Sequence, residues 1–107
     1  TVACYAEVPQ YIRCDFTLRF FGNSMEKLDI NDGDIVYARM TEDVRSHEVA
    51  VVYLDNALTL RRVYKNDTQI VPMAENPAYA PVVFRAGSAV RILGKAVAFL
   101  NPNAVGE

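Results

Sequence analysis

The run "EVAVVYLDNALTLRRVYKN", residues 48 to 66, constrains the fold more than any other stretch. Its arms, 48 to 54 and 58 to 65, are rich in β-branched and aromatic residues. Between them stand Asp55 and Asn56, residue types that tolerate the left-handed backbone of a tight hairpin turn. The neighbouring segments repeat the theme. "DFTLRFF" (15 to 21) alternates loosely, "DIVYARM" (34 to 40) is apolar and opened by Gly33, and "TQIVPMA" (68 to 74) follows a second turn at Asn66-Asp67. "NPAYAP" (76 to 81) reads as an irregular crossing. "AVRILGKAVAFL" (89 to 100) is a long strand with Gly94 at a bend or bulge. The one helical candidate, "SMEKLD" (24 to 29), is a single turn that needs tertiary support, and "PNAVGE" reads as a frayed tail. Short strands with regular turn signals predict an all-β domain, with small curled sheets forming a partial barrel.

At 107 residues, with no repeat or shift in composition, the chain reads as one domain over residues 1 to 107. About half of it is hydrophobic (51%), enough for a core without a metal or disulfide framework. Eleven Lys/Arg against thirteen Asp/Glu give a net charge of −2, which disfavours a phosphate-binding surface in this segment. No apolar run reaches the roughly 20 residues of a membrane span. Cys4 and Cys14 are expected to be reduced thiols in a cytoplasmic protein rather than one bridge. One histidine without a Cys/His cluster predicts no metal site, and no cofactor motif is present.

Ser24, in "GNSM" just after the first strand, is the residue with chemical interest. A serine hydroxyl is a weak nucleophile without a base in hydrogen-bond reach and donors for the oxyanion. It can instead cap the turn that follows it by accepting a backbone N–H. The single histidine, His47 in "DVRSHEV", reads as a solvated turn residue, not a triad member. The other base for serine is a lysine held neutral by burial, and "ALTLRRVY" (57 to 64) is the natural strand to present one.

Five ordered blocks carry a resemblance: "GNSM", "INDGDIVYAR", "EVAVVYLDNALTLRRVY", "IVPMAENPAYAPVVF" and "ILGKAVAF". Together, from about Asp15 to Leu100, they resemble the self-cleaving repressor family that includes LexA repressors, lambda-type phage repressors and UmuD mutagenesis proteins. That family shares a serine–lysine catalytic domain with signal peptidases. The resemblance implies Ser24 as nucleophile, the N–H groups of Asn23 and Ser24 as oxyanion donors, and Met25 packed beneath the corner. It also implies Gly33 and Asp34 as the turn launching the next strand, and Thr59 as a hydroxyl that holds the general base.

The lysine that relatives carry two residues after that threonine is here Arg61, 37 residues from Ser24 as the family's spacing requires. A register slip to Arg62 changes nothing, because a guanidinium stays protonated and cannot take the serine proton. Three readings follow: a naturally non-cleaving relative, an engineered substitution that stops cleavage, or rescue by another lysine. Lys65 shares the face of Arg61 but lies roughly 13 Å further along the strand. Lys27 and Lys95 read as solvated.

The resemblance further implies a C-terminal domain of a transcriptional regulator in the DNA-damage response. DNA would be bound only through an N-terminal domain absent here, and the scissile bond would lie upstream of Thr1. A RecA filament would be the trigger, and a homodimer would form through strand 89 to 100, read as an exposed edge. Two function classes stay open: a self-cleaving serine peptidase, and a pseudo-protease that only self-associates. A signal-peptidase-like protease is a weaker third.

Overall fold

A computed structural model of the chain describes residues 13–87 and 90–102. Ala89, Cys4 and the 103–107 tail therefore lie outside the described residues. Seven strands follow in order: β1 Phe16–Arg19, β2 Ile35–Met40, β3 Val49–Leu54, β4 Ala57–Lys65, β5 Gln69–Met73, β6 Phe84–Arg85 and β7 Arg91–Leu100. A 3-10 turn, Glu26–Leu28, is the "SMEKLD" segment. The expected all-β partial barrel is realised as one continuous antiparallel sheet of order β1-β2-β7-β3-β4-β5-β6, curled into a half barrel.

The β3–β4 hairpin sets the register. Asp55 and Asn56 both adopt positive φ (51° and 63°), the backbone of a two-residue type I′ turn that matches the strand twist. With the turn fixed, Val51 faces Leu60, Ala50 faces Arg61 and Val52 faces Thr59. Alternation then separates two cores. Val51 and Leu60 join Phe20, Met25, Ile30, Val36 and Ala38 in one cluster. Ala50, Val52 and Val63 join Val44 in the other. The centre of the sheet is covered on both faces, by the 20–34 segment and by the 41–48 connection, which explains why "VAVV" is continuously apolar. Each fully buried Val, Leu or Met there contributes roughly 1.5–3 kcal/mol of transfer free energy.

Three expectations are corrected. First, residues 91–100 are not an edge strand. β7 pairs with β2 on one side and β3 on the other, so its backbone cannot also pair with a twin. The described edges are β1 and β6. Second, Cys14 is disulfide-bonded rather than a free thiol, because a count of cysteines carries no information about their separation in space. Third, Lys95 is not simply solvated. It forms an ion pair with Glu48, whose other carboxylate oxygen accepts the Arg45 N–H (2.7 Å). The two-residue β6 was not anticipated, being too short to leave a periodic signal.

Gly94 has a packing role at the expected irregularity. A Cβ there would sit 2.6 Å from the Arg39 carbonyl oxygen and 2.8 Å from Phe16 Cζ. Pairing partners jump from Ala98 to Ala96 against β2, and from Gly94 to Ile92 against β3, leaving Val97 and Leu93 as the extra residues. β7 thus bends on either side of the one position where β1 and β2 approach too closely for any side chain.

Gly94→Ala is expected to destabilise the fold by about 1–3 kcal/mol, since backbone must move to admit the methyl group. Urea unfolding checks this as a lower midpoint at unchanged slope. The Lys95 ammonium, helped by the Arg45 N–H, holds the Glu48 carboxyl below its ordinary value. A depressed folded-state pKa stabilises above the unfolded value and is lost as pH falls through the folded one. Glu48→Gln is therefore expected to flatten the loss of stability below about pH 5, read as melting temperature against pH.

Candidate functional site

The serine corner is closed at its base before any catalytic geometry arises. Phe20 N–H donates to the Asp34 carbonyl (2.8 Å) and Gly33 N–H donates to the Phe20 carbonyl (2.7 Å). Gly33, at φ +88°, makes the reversal, and the buried Asp34 carboxylate accepts the Asn31 N–H (2.9 Å). Gly22, at φ +94°, donates to Asp32 Oδ1 (2.7 Å). The loop is thus a strapped Ω-like excursion between β1 and β2. Met25, fully buried against the cluster that holds Leu60, anchors its tip and leaves Ser24 5% exposed beside it.

β4 brings the second half. Leu60 points into the core and Arg61 turns to the corner, where its Nη1 donates to Ser24 Oγ (3.0 Å). The same nitrogen donates to Thr59 Oγ1 (3.2 Å) and to the Leu60 carbonyl (2.7 Å). Ser24 therefore does not cap the turn after it. The N-cap position is Met25, with no side-chain bond, and the serine oxygen is occupied by a guanidinium. Neither the Asn23 nor the Ser24 N–H donates to another group among the described residues.

A third segment, the 74–83 crossing, clamps the corner. The 94%-buried Asn76 donates from Nδ2 to the Asn23 carbonyl (2.8 Å), and the Tyr79 hydroxyl donates to Asn23 Oδ1 (2.9 Å). Lys27 N–H donates to the Glu75 carbonyl (3.0 Å), while Glu75 pairs with Arg62 (3.2 Å). The Tyr79 ring lies 5.7 Å from the Arg61 guanidinium carbon, within cation–π range. The sequence predicts an irregular crossing here, and the segment contains no strand or helix. The available signal was Asn76 itself, a polar residue set before proline between two apolar strands.

The electrostatics follow from burial. Desolvation pushes the Arg61 guanidinium below its ordinary value, with Tyr79 and Asp55 pulling it back. A guanidinium so placed still carries its charge and offers donors only. The other candidates lie elsewhere. His47 is exposed at φ +80° with its ring 4.6 Å from Tyr64, and Arg62 belongs to Glu75. Lys65 and Lys27 are exposed and Lys95 is paired with Glu48. No basic side chain other than Arg61 is hydrogen-bonded to Ser24 among the described residues. The arrangement can polarise and hold the hydroxyl, and among the described residues Arg61 is the one side chain hydrogen-bonded to it.

The curled antiparallel half barrel with its strapped serine loop defines the class of the domain as all-β. The sequence profile of the Peptidase S24-like family matches residues 5–97, and the chain belongs to that family. It is similar to the LexA repressor of Erwinia tasmaniensis, 41% identical over 69 residues, covering 64% of this chain and 34% of that protein. The LexA repressor of Photobacterium profundum is 39% identical over 71 residues, 66% of this chain and 37% of its own length. That of Vibrio cholerae is 34% identical over 90 residues, 83% of this chain and 43% of its own length. The matched segment thus spans about a third to two fifths of these curated relatives.

Asn76→Ala is expected to cost about 1–3 kcal/mol, because the Asn23 carbonyl is left with only the long bond from Glu26 N–H (3.3 Å). Tyr79→Phe, at an exposed acceptor, is expected to cost less, about 0.5–1.5 kcal/mol. Urea midpoints of both variants check the order.

Proposed function

We propose that residues 1–107 form the C-terminal domain of a LexA-like transcriptional repressor in which self-association outlives self-cleavage. The carrying observation is the hydrogen bond from Arg61 Nη1 to Ser24 Oγ. Ser24 occupies the nucleophile position, the Asn23 and Ser24 amides the oxyanion position, and Thr59 the position that orients the base. Where proton abstraction is required, Arg61 supplies a fixed positive charge. It stabilises an alkoxide but does not generate one, so cleavage lacks its general base.

In this reading the protein acts in the cytoplasm. DNA contact belongs to a region outside this chain, and pairing of two copies sets the spacing of two DNA-binding heads on a palindromic operator. Pairing uses side chains near the last strand, where Phe99 is exposed, because the backbone of β7 is already engaged on both sides. A RecA filament, the trigger implied by the family resemblance, finds no competent dyad to activate. The peptidase reading survives in one respect: the two corner amides have no other partner among the described residues, as an oxyanion site requires.

The test is Arg61→Lys in the full-length protein, incubated at pH 10, where a lysine is partly neutral. The parent is expected to stay intact. The variant is expected to cleave itself upstream of this domain about 10²–10⁴-fold faster, the contribution of a general base. Added Ser24→Ala should abolish that cleavage. Fragments from the parent at the variant's rate would sink the non-cleaving reading and restore the enzyme. Gel electrophoresis over time reads the result.

A further inference from the structure

Around Ser24, hydrogen-bond donors outnumber acceptors. Arg61 engages protein acceptors through Nη1 alone. Its Nε and Nη2 make no hydrogen bond among the described residues, and neither is a buried orphan, so both reach solvent. The Ser24 hydroxyl accepts from Arg61 and keeps its own proton to donate. The Asn23 and Ser24 amides are unengaged among the described residues. No carboxylate of the described residues lies within ion-pair distance of Arg61, although Arg62, its neighbour, has Glu75. A half-buried guanidinium without a counter-ion is an unusual arrangement, since a desolvated charge is ordinarily paired.

The same side chain lines a crevice of about 240 Å³. Its remaining walls include Leu54, Pro72, Val82 and Phe84, with Tyr79 at the serine side. Val82 and Tyr79 are exposed, so the crevice opens to solvent along an apolar rim. One acidic group, Asp55, shares the wall but stays beyond ion-pair distance of Arg61. The crevice thus joins apolar side chains to a single cation that has no carboxylate within ion-pair distance among the described residues, and that cation is hydrogen-bonded to Ser24.

We propose that this crevice is a receptor for the C-terminal carboxylate of a peptide ending in an apolar residue. The carboxylate bridges the free edge of the Arg61 guanidinium and the Ser24 corner, and the last side chain lies against Leu54, Val82 and Phe84. A planar guanidinium matches a carboxylate through paired N–H groups, which a lysine ammonium does not. An uninterrupted chain carries no charge at the corresponding carbonyl, so the site discriminates chain ends from internal segments. The inference goes beyond the proposed function. It rests on one part of it, that Arg61 is a permanent cation at Ser24, and not on the identity of the regulator.

Titration calorimetry on the full-length protein tests it with N-acetyl-Ala-Ala-Ala-Leu as the free acid and as the C-terminal amide, beside sodium acetate and inorganic phosphate. The acid is expected to bind at least about tenfold tighter than the amide, the size of one charge-assisted contact. Arg61→Gln should erase that difference. Asp55→Asn, on an exposed turn whose positive φ asparagine tolerates, should tighten the acid about two- to threefold and leave the amide unchanged. Equal affinity for acid and amide would overturn the proposal, as would acetate or phosphate binding as tightly as the peptide acid. If Arg61→Gln does not fold, an unchanged acid affinity in Asp55→Asn overturns it instead. Cleavage by Arg61→Lys at high pH reports on the proposed function separately, so the two ideas fail independently.

Discussion

The register of the β3–β4 hairpin is the constraint on which the site depends. Leu60 must face Val51 to reach the core beneath Met25, and that register sets Thr59 and Arg61 opposite Val52 and Ala50, from where the long Arg61 side chain reaches Ser24. A slip by one residue would exchange the faces of Leu60 and Arg61 and drive a guanidinium into the cluster that holds Met25 and Val51, which charge desolvation opposes. The turn at Asp55-Asn56 and the core at Val51-Leu60 thus agree on one pairing. The 3.0 Å approach of Arg61 to Ser24 is a by-product of that agreement.

Ser24 and Arg61 are joined across 37 residues, but neither the loop nor the strand would hold the geometry unaided. The Phe20–Asp34 closure fixes the base of the loop, Met25 fixes its tip, and Asn76 with Tyr79 fixes Asn23 from the far side. Three segments, each anchored in a different way, converge on one hydroxyl. This is a support shell of the kind that precise chemistry needs. Here it presents a residue that can only donate.

Much of the fold was legible locally. The hairpin declared itself through Asp55-Asn56, β2 through the apolar run after Gly33, and the turn at 24 to 29 through its brevity. What stayed hidden was non-local. The interior position of β7 is a property of sheet order, and a long apolar strand reads the same at an edge or in the middle. Lys95 looked solvated because its partner Glu48 is 47 positions away. The pairing of Cys14 depended on spatial proximity that spacing does not report. The corner at Ser24 stood out by its setting, but its link to Arg61 came through family likeness, since no local pattern joins a loop serine to a strand arginine. The clamp by Asn76 and Tyr79 left only the faint mark of an asparagine before proline.

The central place of the last described strand bears on how the chain comes to be folded. Until residues 91–100 arrive, β1–β2 and β3–β6 are two separate antiparallel fragments with no ladder between them. Each would expose the backbone edge that β7 later fills. On the ribosome, the sheet must therefore wait for its C-terminal stretch to emerge before closing, and the serine corner must wait with it.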